Sequence, residues 1–396
     1  MKKKLLPLWL VIVADIMLLA IGLSLFAYFH HIRILWAPFD LHEPTPLDSF
    51  KNPNNNVGEI IQDITDPEDN TPLLHGDFGE RFGTYFTNSV TKVNSLTKDS
   101  EIRGFLEMHG FTASTNPNSK YIGLYQSKDI FVTVEKIYDL GYVISEDETM
   151  METIYIYDIY IRNIDNFYTS AYDTRTSITN LTKNVEYLTN ANGVNFTAGL
   201  PIAAINGDYW GNTNQTLIAV RNGKLYLDTD ELQTDIMVLF YDGTMEVYTK
   251  DTFDKDAINE KGPYQVWNFG PGLLDEQGFA RKQFSSDFYD NNVITTAHPR
   301  TGLGYYEPGH YCFVTVEGRK AKAQGFRMVH LADFFEKLGC SVAYNMDGGG
   351  SSQSYFNGKV LYKGDGRNLF DIICIGEVST TDPFRRNVSS SRGNGS

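Results

Sequence analysis

Lysines at positions 2, 3 and 4 precede an apolar stretch from Leu5 to Phe29, within which Asp15 is the one acidic residue. A membrane-spanning helix requires roughly 20 predominantly apolar residues, so the pattern predicts a transmembrane anchor. Asp15 costs about 2.5–3.5 kcal/mol at a helix centre, less than the surrounding Leu, Ile and Val return. The lysine flank places the N-terminus inside the cell and the rest of the chain outside. Residues 37–72 are rich in Pro, Asn, Asp and Thr and carry no periodicity, the pattern of a mobile stalk.

Beyond the stalk the pattern turns to short apolar runs. Ile130–Tyr138 and Thr153–Asn163 alternate in the manner of strands. Ile178, Leu181, Val185 and Leu188 recur at helical spacing, with Thr176 or Ser177 to cap the start and Asn192-Gly193 to end it. Leu200–Ile205 then reads as a buried strand that delivers Asn206, Gly207 and Asp208 off its end. Two-residue turn signals at Asn222-Gly223, Asp242-Gly243 and Asn357-Gly358 predict three hairpins. Val314–Val316 is a further short strand. Val329, Leu331, Phe334, Phe335 and Leu338 mark a second helix, closed by Gly339. Val342–Asn345 is a strand that carries Asp347 off its end, and Phe370–Ile375 is a final strand. Twice, then, a helix and a short apolar strand lead into Asn-Gly-Asp or Asn-x-Asp, as if two related units converged on one place.

The expected fold class is α+β: a β-rich domain with two principal helices, preceded by one N-terminal transmembrane helix. The expected divisions are 1–30 for the cytoplasmic tip and anchor, 31–75 for the stalk, 120–380 for the main domain and 381–396 for a disordered tail. Residues 76–119 are an N-terminal extension whose Phe78, Phe82, Tyr85 and Phe86 either form a short helix or pack on the main domain.

Composition sharpens this. A hydrophobic content of 42% is enough for a core, and an aromatic content of 13%, with 24 Tyr and 25 Phe, favours β structure. The formal charge of −15 excludes sequence-independent nucleic-acid binding, which needs a basic face. An anionic ligand would therefore depend on individual arginines. Cys312, Cys340 and Cys374 are odd in number and flanked by apolar residues, which favours buried thiols over a disulfide framework. No Cys/His spacing suits zinc and no EF-hand spacing is present, so no metal is assigned to the several Asp near the Gly loops and no cofactor is expected.

The richest chemistry lies in Asn345-Met346-Asp347-Gly348-Gly349-Gly350-Ser351-Ser352. One carboxylate stands before three glycines and two hydroxyls, where bare amides are expected to hold an anion as in a backbone nest and the carboxylate to do acid–base work. The same dipeptides are common turn formers. The lysine of a nucleotide P-loop is missing. Upstream lie Ala204-Ile205-Asn206-Gly207-Asp208-Tyr209-Trp210, Asn268-Phe269-Gly270-Pro271-Gly272 and Pro299-Arg300-Thr301-Gly302-Leu303-Gly304.

In this order the four elements resemble the phosphodiester glycosidase family over roughly residues 120 to 380. Gly302 stands where the family usually has Ala, Met346 where it has Leu, and Phe370 where a Ser is expected before Asp371. The resemblance implies hydrolysis of a sugar-1-phosphodiester of the N-acetylglucosamine type on a glycan or cell-envelope polymer. It implies Asp347 and Asp208 as the catalytic carboxylate pair. Asn206, Gly207, Arg300, Thr301, Gly348, Gly349, Gly350, Ser351 and Ser352 would bind substrate, with Arg300 on the phosphate. Arg319 and Arg327 are lesser basic candidates, and Asp371 a supporting acid. A non-catalytic carbohydrate-binding or exopolysaccharide-assembly module on the same fold is the alternative, which the abundant tyrosines would serve equally.

Overall fold

The structure, a computed structural model, describes residues 77–145, 148–183, 197–208, 218–284, 291–321 and 323–379. The apolar run Leu5–Phe29, the stalk and the C-terminal tail lie outside the described residues, as do 184–196 of the first expected helix. Among the described residues no helix is long and apolar enough to cross a membrane. All of them fall within one compact unit.

Three antiparallel sheets form the frame. The largest has seven strands in the order β1 (Asn94–Leu96), β2 (Ser119–Gln126), β3 (Ile130–Ser145), β4 (Glu148–Ile161), β13 (His310–Val316), β12 (Arg300–Glu307) and β14 (Val342–Asn345). A second runs β10 (Met245–Tyr248), β9 (Ile236–Phe240), β11 (Pro263–Trp267), β7 (Ala219–Arg221) and β8 (Lys224–Leu227). The third runs β16 (Lys359–Tyr362), β15 (Ser354–Phe356), β6 (Thr197–Asn206), β17 (Leu369–Ser379) and β5 (Phe167–Thr176). The expected hairpins about Asn222, Asp242 and Asn357 are all present.

Strand alternation explains the layering, because successive side chains point to opposite faces. On β13, Tyr311 and Phe313 enter a central core with Met237, Trp267, Ile205 and Ile373 from the other two sheets. Cys312, Val314 and Val316 face the other way, against helix residues Leu331, Ala332 and Phe335. Both faces of the large sheet are thus covered. Likewise Ile205 and Ile373 look inward, while Ala204, Ile372 and Cys374 meet Ile178 and Leu181 on the far side.

The longer helices among the described residues are α1 (Asp99–Met108) and α3 (Met328–Leu338), with α2 (Lys255–Lys261) between them. Gly339 closes α3 in the left-handed region, φ 79°, as expected. The first expected helix is described only as the turn Ile178–Leu181, where the Ser177 side chain accepts the Asn180 amide at 3.2 Å. The other long helix, α1, instead comes from the stretch 76–119. That stretch packs into the central core through Phe78, Phe82, Phe86, Ile102 and Leu106.

Gly302 and Gly304 on β12 let α3 lie close. A Cβ at these positions would sit 2.5 Å from the Phe335 ring and 2.7 Å from Cys340 Sγ. Gly302, where the family has Ala, thus makes room for Phe335.

Glu152 on β4 is buried and accepts the Gly325 amide at 3.0 Å. Burial lifts its carboxyl from 4.5 to about 7, against the Gly325 and Gln324 amides and Lys320, which favour the ionised form, while Glu317 adds to the rise. A carboxyl raised in the folded chain contributes stability that is fully present below its unfolded value and is lost as pH rises through the folded one. Melting temperature should therefore fall between 4.5 and about 7 on account of this group. Glu152→Gln, which cannot ionise, should flatten that part of the profile. Thermal melts across the window test this; an unchanged slope would show that Glu152 stays ionised throughout.

Candidate active site

The ends of β6 and β14 meet, although the two strands belong to different sheets. Asn206, buried at the end of β6, donates from Nδ2 to the Asp347 carbonyl at 2.7 Å. Its Oδ1 accepts Thr301 Oγ1 at 2.7 Å and the Gln353 amide at 3.0 Å. One side chain thus fastens β12, the Asp347 loop and the chain leaving that loop. Its role is to fix the turn, and Thr301 serves the same anchor.

Asp347 is 8% exposed. Burial raises its carboxyl above the ordinary range, opposed by a hydrogen bond from Ser351, the Arg367 charge, the Gly348 amide and the Arg175 charge. Arg367 Nη1 donates to Ser351 Oγ at 3.3 Å. Arg175 lies over the Phe370 ring, 4.6 Å from its centroid. Phe370, the departure from the family pattern, thus meets a cation where a serine would have offered a hydroxyl.

The expected anion nest is largely spent on the loop itself. The Gly349 amide donates to the Pro299 carbonyl at 2.8 Å, Ser351 to Gly348 at 3.1 Å and Ser352 to Gly349 at 3.3 Å. Three glycines permit this tight winding, with Gly349 at φ 60°. Ser352 Oγ is buried with no hydrogen-bond partner among the described residues.

Arg300 is also placed otherwise than expected. Its Nε donates to the Phe326 carbonyl at 2.8 Å, and its Nη2 to those of Val293 and Thr296 at 2.7 and 3.1 Å. Most of the two-pronged geometry meant for a phosphate is engaged with main chain, so Arg300 ties the start of β12 to Val293, Thr296 and Phe326. Arg327, the other lesser basic candidate, flanks the start of α3 as its N-cap residue.

Asp208 and Asp371 share one buried cation. Arg221 Nη2 stands 2.7 Å from Asp208 Oδ1, and Nε donates to Asp371 Oδ2 at 3.0 Å. Asp208 Oδ2 accepts the Asn268 amide at 2.9 Å, which brings in the Asn268–Gly272 element. Arg221 Nη1 reaches the Val220 carbonyl at 3.1 Å and that of Val266. Asp208, expected as one of the two catalytic carboxylates, is therefore locked in a buried ion pair. Burial, together with the Asp208 charge, holds Asp371 well above the carboxylate range, against Arg221. Gly207 is required here, because a Cβ would sit 2.2 Å from Asp371 Oδ1.

Sequence reasoning missed Arg221, Arg175 and Arg367. The one available signal for Arg221 was an arginine inside an apolar strand, just before the Asn222-Gly223 turn. Among the described residues no group of three or more His, Cys, Asp or Glu is arranged to hold a metal ion.

The site is thus a glycine loop with a buried acid, set at the junction of two β-sheets and flanked by arginines. Residues 200–375 match the family model for phosphodiester glycosidases, so the resemblance carried by the motifs is shown over that stretch. An uncharacterized SPbeta prophage-derived protein of Bacillus subtilis strain 168, YomE, is 31% identical over 164 residues, 40% of this chain. The aligned part is 25% of that protein, so the chain spans about a quarter of the curated relative it matches. Among solved structures, the chain is similar to the zebrafish N-acetylglucosamine-1-phosphodiester alpha-N-acetylglucosaminidase catalytic domain, auto-inhibited by its pro-peptide. That similarity has a TM-score of 0.48 at 15% identity, over 72% of this chain and 89% of that one. A hypothetical protein from Synechocystis gives a TM-score of 0.47 at 11% identity, over 66% of this chain and 64% of that one.

Removing the shared cation should be severe. Arg221→Met leaves two buried carboxylates facing one another, a change that costs about 3–5 kcal/mol when one partner of a buried pair is lost. Urea unfolding measures it. A loss within the range of a surface substitution would mean that Asp208 and Asp371 do not depend on the guanidinium.

Proposed function

We propose that this chain is a hydrolase that cleaves the bond between the anomeric carbon and the phosphate oxygen of a sugar-1-phosphodiester, releasing the sugar and a phosphomonoester. The sugar is of the N-acetylglucosamine type, carried on a glycan or cell-envelope polymer. The apolar run Leu5–Phe29 would hold the protein on the outer side of the membrane. One observation carries the reading. Asp347, its proton affinity raised by burial, sits beside Arg367 and Arg175 within the stretch that matches the family.

The departing phosphomonoester is a weak base, so the leaving oxygen needs charge neutralisation more than protonation. Arg367 and Arg175 supply positive charge beside the acid, the role first expected of Arg300. Asp347 then acts at the anomeric carbon or on the attacking water, and a carboxyl whose proton affinity is raised by burial suits such proton transfer. Asp208 works at one remove, through Arg221, by holding the strand end that carries Asn206.

Asp347→Asn keeps the size and the turn-forming capacity of the residue. Turnover of an N-acetylglucosamine-1-phosphodiester by the full chain should fall by at least about a hundredfold, the order of a single acid–base group, with a modest change in KM. A fully active variant would remove Asp347 from the chemistry. Tight sugar-phosphate binding without turnover in the unaltered chain would replace hydrolysis by binding.

A further inference from the structure

Residues 363–367, Lys-Gly-Asp-Gly-Arg, make a turn laid against the Asp347–Ser352 loop. The Gly366 amide donates to the Lys363 carbonyl at 2.7 Å, and the Arg367 amide to that of Gly350 at 3.3 Å. Gly364 and Gly366 both have positive φ, 51° and 73°. A Cβ on Gly364 would stand 2.8 Å from the Ser352 carbonyl and 3.2 Å from those of Gly349 and Gly350. Glycine is what allows this turn to lie on the loop.

The turn offers the Asp365 carboxylate to Arg319, which approaches from the opposite side. Arg319 sits on a tight hairpin, where its amide donates to the Gln324 carbonyl at 3.2 Å and the Lys320 amide to that of Ala323 at 3.0 Å. Glu152 holds the base of that hairpin through Gly325. Arg319 itself has a φ of 60°, which a non-glycine residue adopts at a cost. Its Nη2 stands 2.7 Å from where a Gly349 Cβ would be, and its Nη1 pairs with Asp365 Oδ2. Both side chains are open to solvent, 43% and 54% exposed. Gly348 and Gly349 are half-buried, so Arg319 borders the open edge of the loop. The neighbouring charges Glu317 and Lys320 are paired with each other.

We infer that Arg319 forms an outer oxyanion subsite beside Gly349, occupied in the free chain by the carboxylate of Asp365. An exposed ion pair contributes only about 0–1 kcal/mol, so Asp365 yields readily to a better-matched anion. A guanidinium matches the paired oxygens of phosphate more closely than a single ammonium does. The ligand is a phosphate or carboxylate on the part of the substrate beyond the scissile bond. The substrate class is then an anionic glycan that carries a second oxyanion. This last step rests on the hydrolase reading; the subsite itself does not.

Inorganic phosphate, titrated calorimetrically into the full chain at low ionic strength, tests the subsite. Asp365→Asn should bind phosphate about two- to fivefold more tightly, the worth of an exposed pair. The double variant Asp365→Asn/Arg319→Gln should lose that gain. A parallel titration with acetate separates the two chemistries: an equal gain marks a general oxyanion subsite, and a gain confined to phosphate marks a phosphate one. Unchanged or weaker phosphate binding by Asp365→Asn overturns the inference, as does a gain that survives without Arg319. The expected titration from a chain that turns over no sugar phosphodiester would sink the hydrolase reading and leave the subsite standing. Turnover without the expected titration would do the reverse.

Discussion

Arg221 leaves β7 in one sheet and meets Asp208, just past β6, and Asp371 on β17, both parts of another sheet. All three side chains are buried. Charges taken out of water cost several kcal/mol each unless they are paired and hydrogen-bonded, so an arrangement that parts them is strongly disfavoured. The second and third sheets are therefore held in one relation. The consequences spread along β6: Gly207 must lack a side chain, Asp208 must turn inward, and Asn206 is left at a fixed height beside the Asp347 loop.

From there the site is organised by hydrogen bonds whose partners lie on different strands. Asn206 spends both ends of its amide on Thr301, Gln353, Gly207 and Asp347. Arg300 spends Nε and Nη2 on the carbonyls of Phe326, Val293 and Thr296. Most of the motif residues thus hold the loop in shape, and one of them, Asp347, is the buried carboxylate beside the half-buried edge of Gly348 and Gly349. Positive charge reaches that edge from Arg175, Arg319 and Arg367, none of which lies inside a motif. In a chain of net charge −15 these guanidinium groups are a local concentration of positive charge.

Much of the frame was legible because it is written locally. Period-two alternation marked β3 and β4, short apolar runs marked β6 and β13, paired turn residues marked the hairpins, and apolar spacing with Gly339 marked α3. The stretch 76–119 was ambiguous for a physical reason. Its aromatic residues suit a surface helix or a core equally, and the choice depends on Phe78 finding Gly243 and Gly309, each with room for its ring. Gly302 was read as a mild departure, and only the approach of Phe335 explains it.

The sequence by itself determined a β-rich fold, several of its strands, its hairpin turns and the four motifs of the family resemblance, since each signal lies within a few residues. Only the tertiary structure decided which charges meet. Arg221 and Asp371 are 150 residues apart along the chain, and Asn206 and Asp347 are 141 apart. Periodicity and turn propensity carry no information across such distances. Burial and pairing then separate the two aspartates: Asp208 is locked against the Arg221 guanidinium, whereas Asp347, buried as well, meets the Ser351 hydroxyl and the Gly348 amide.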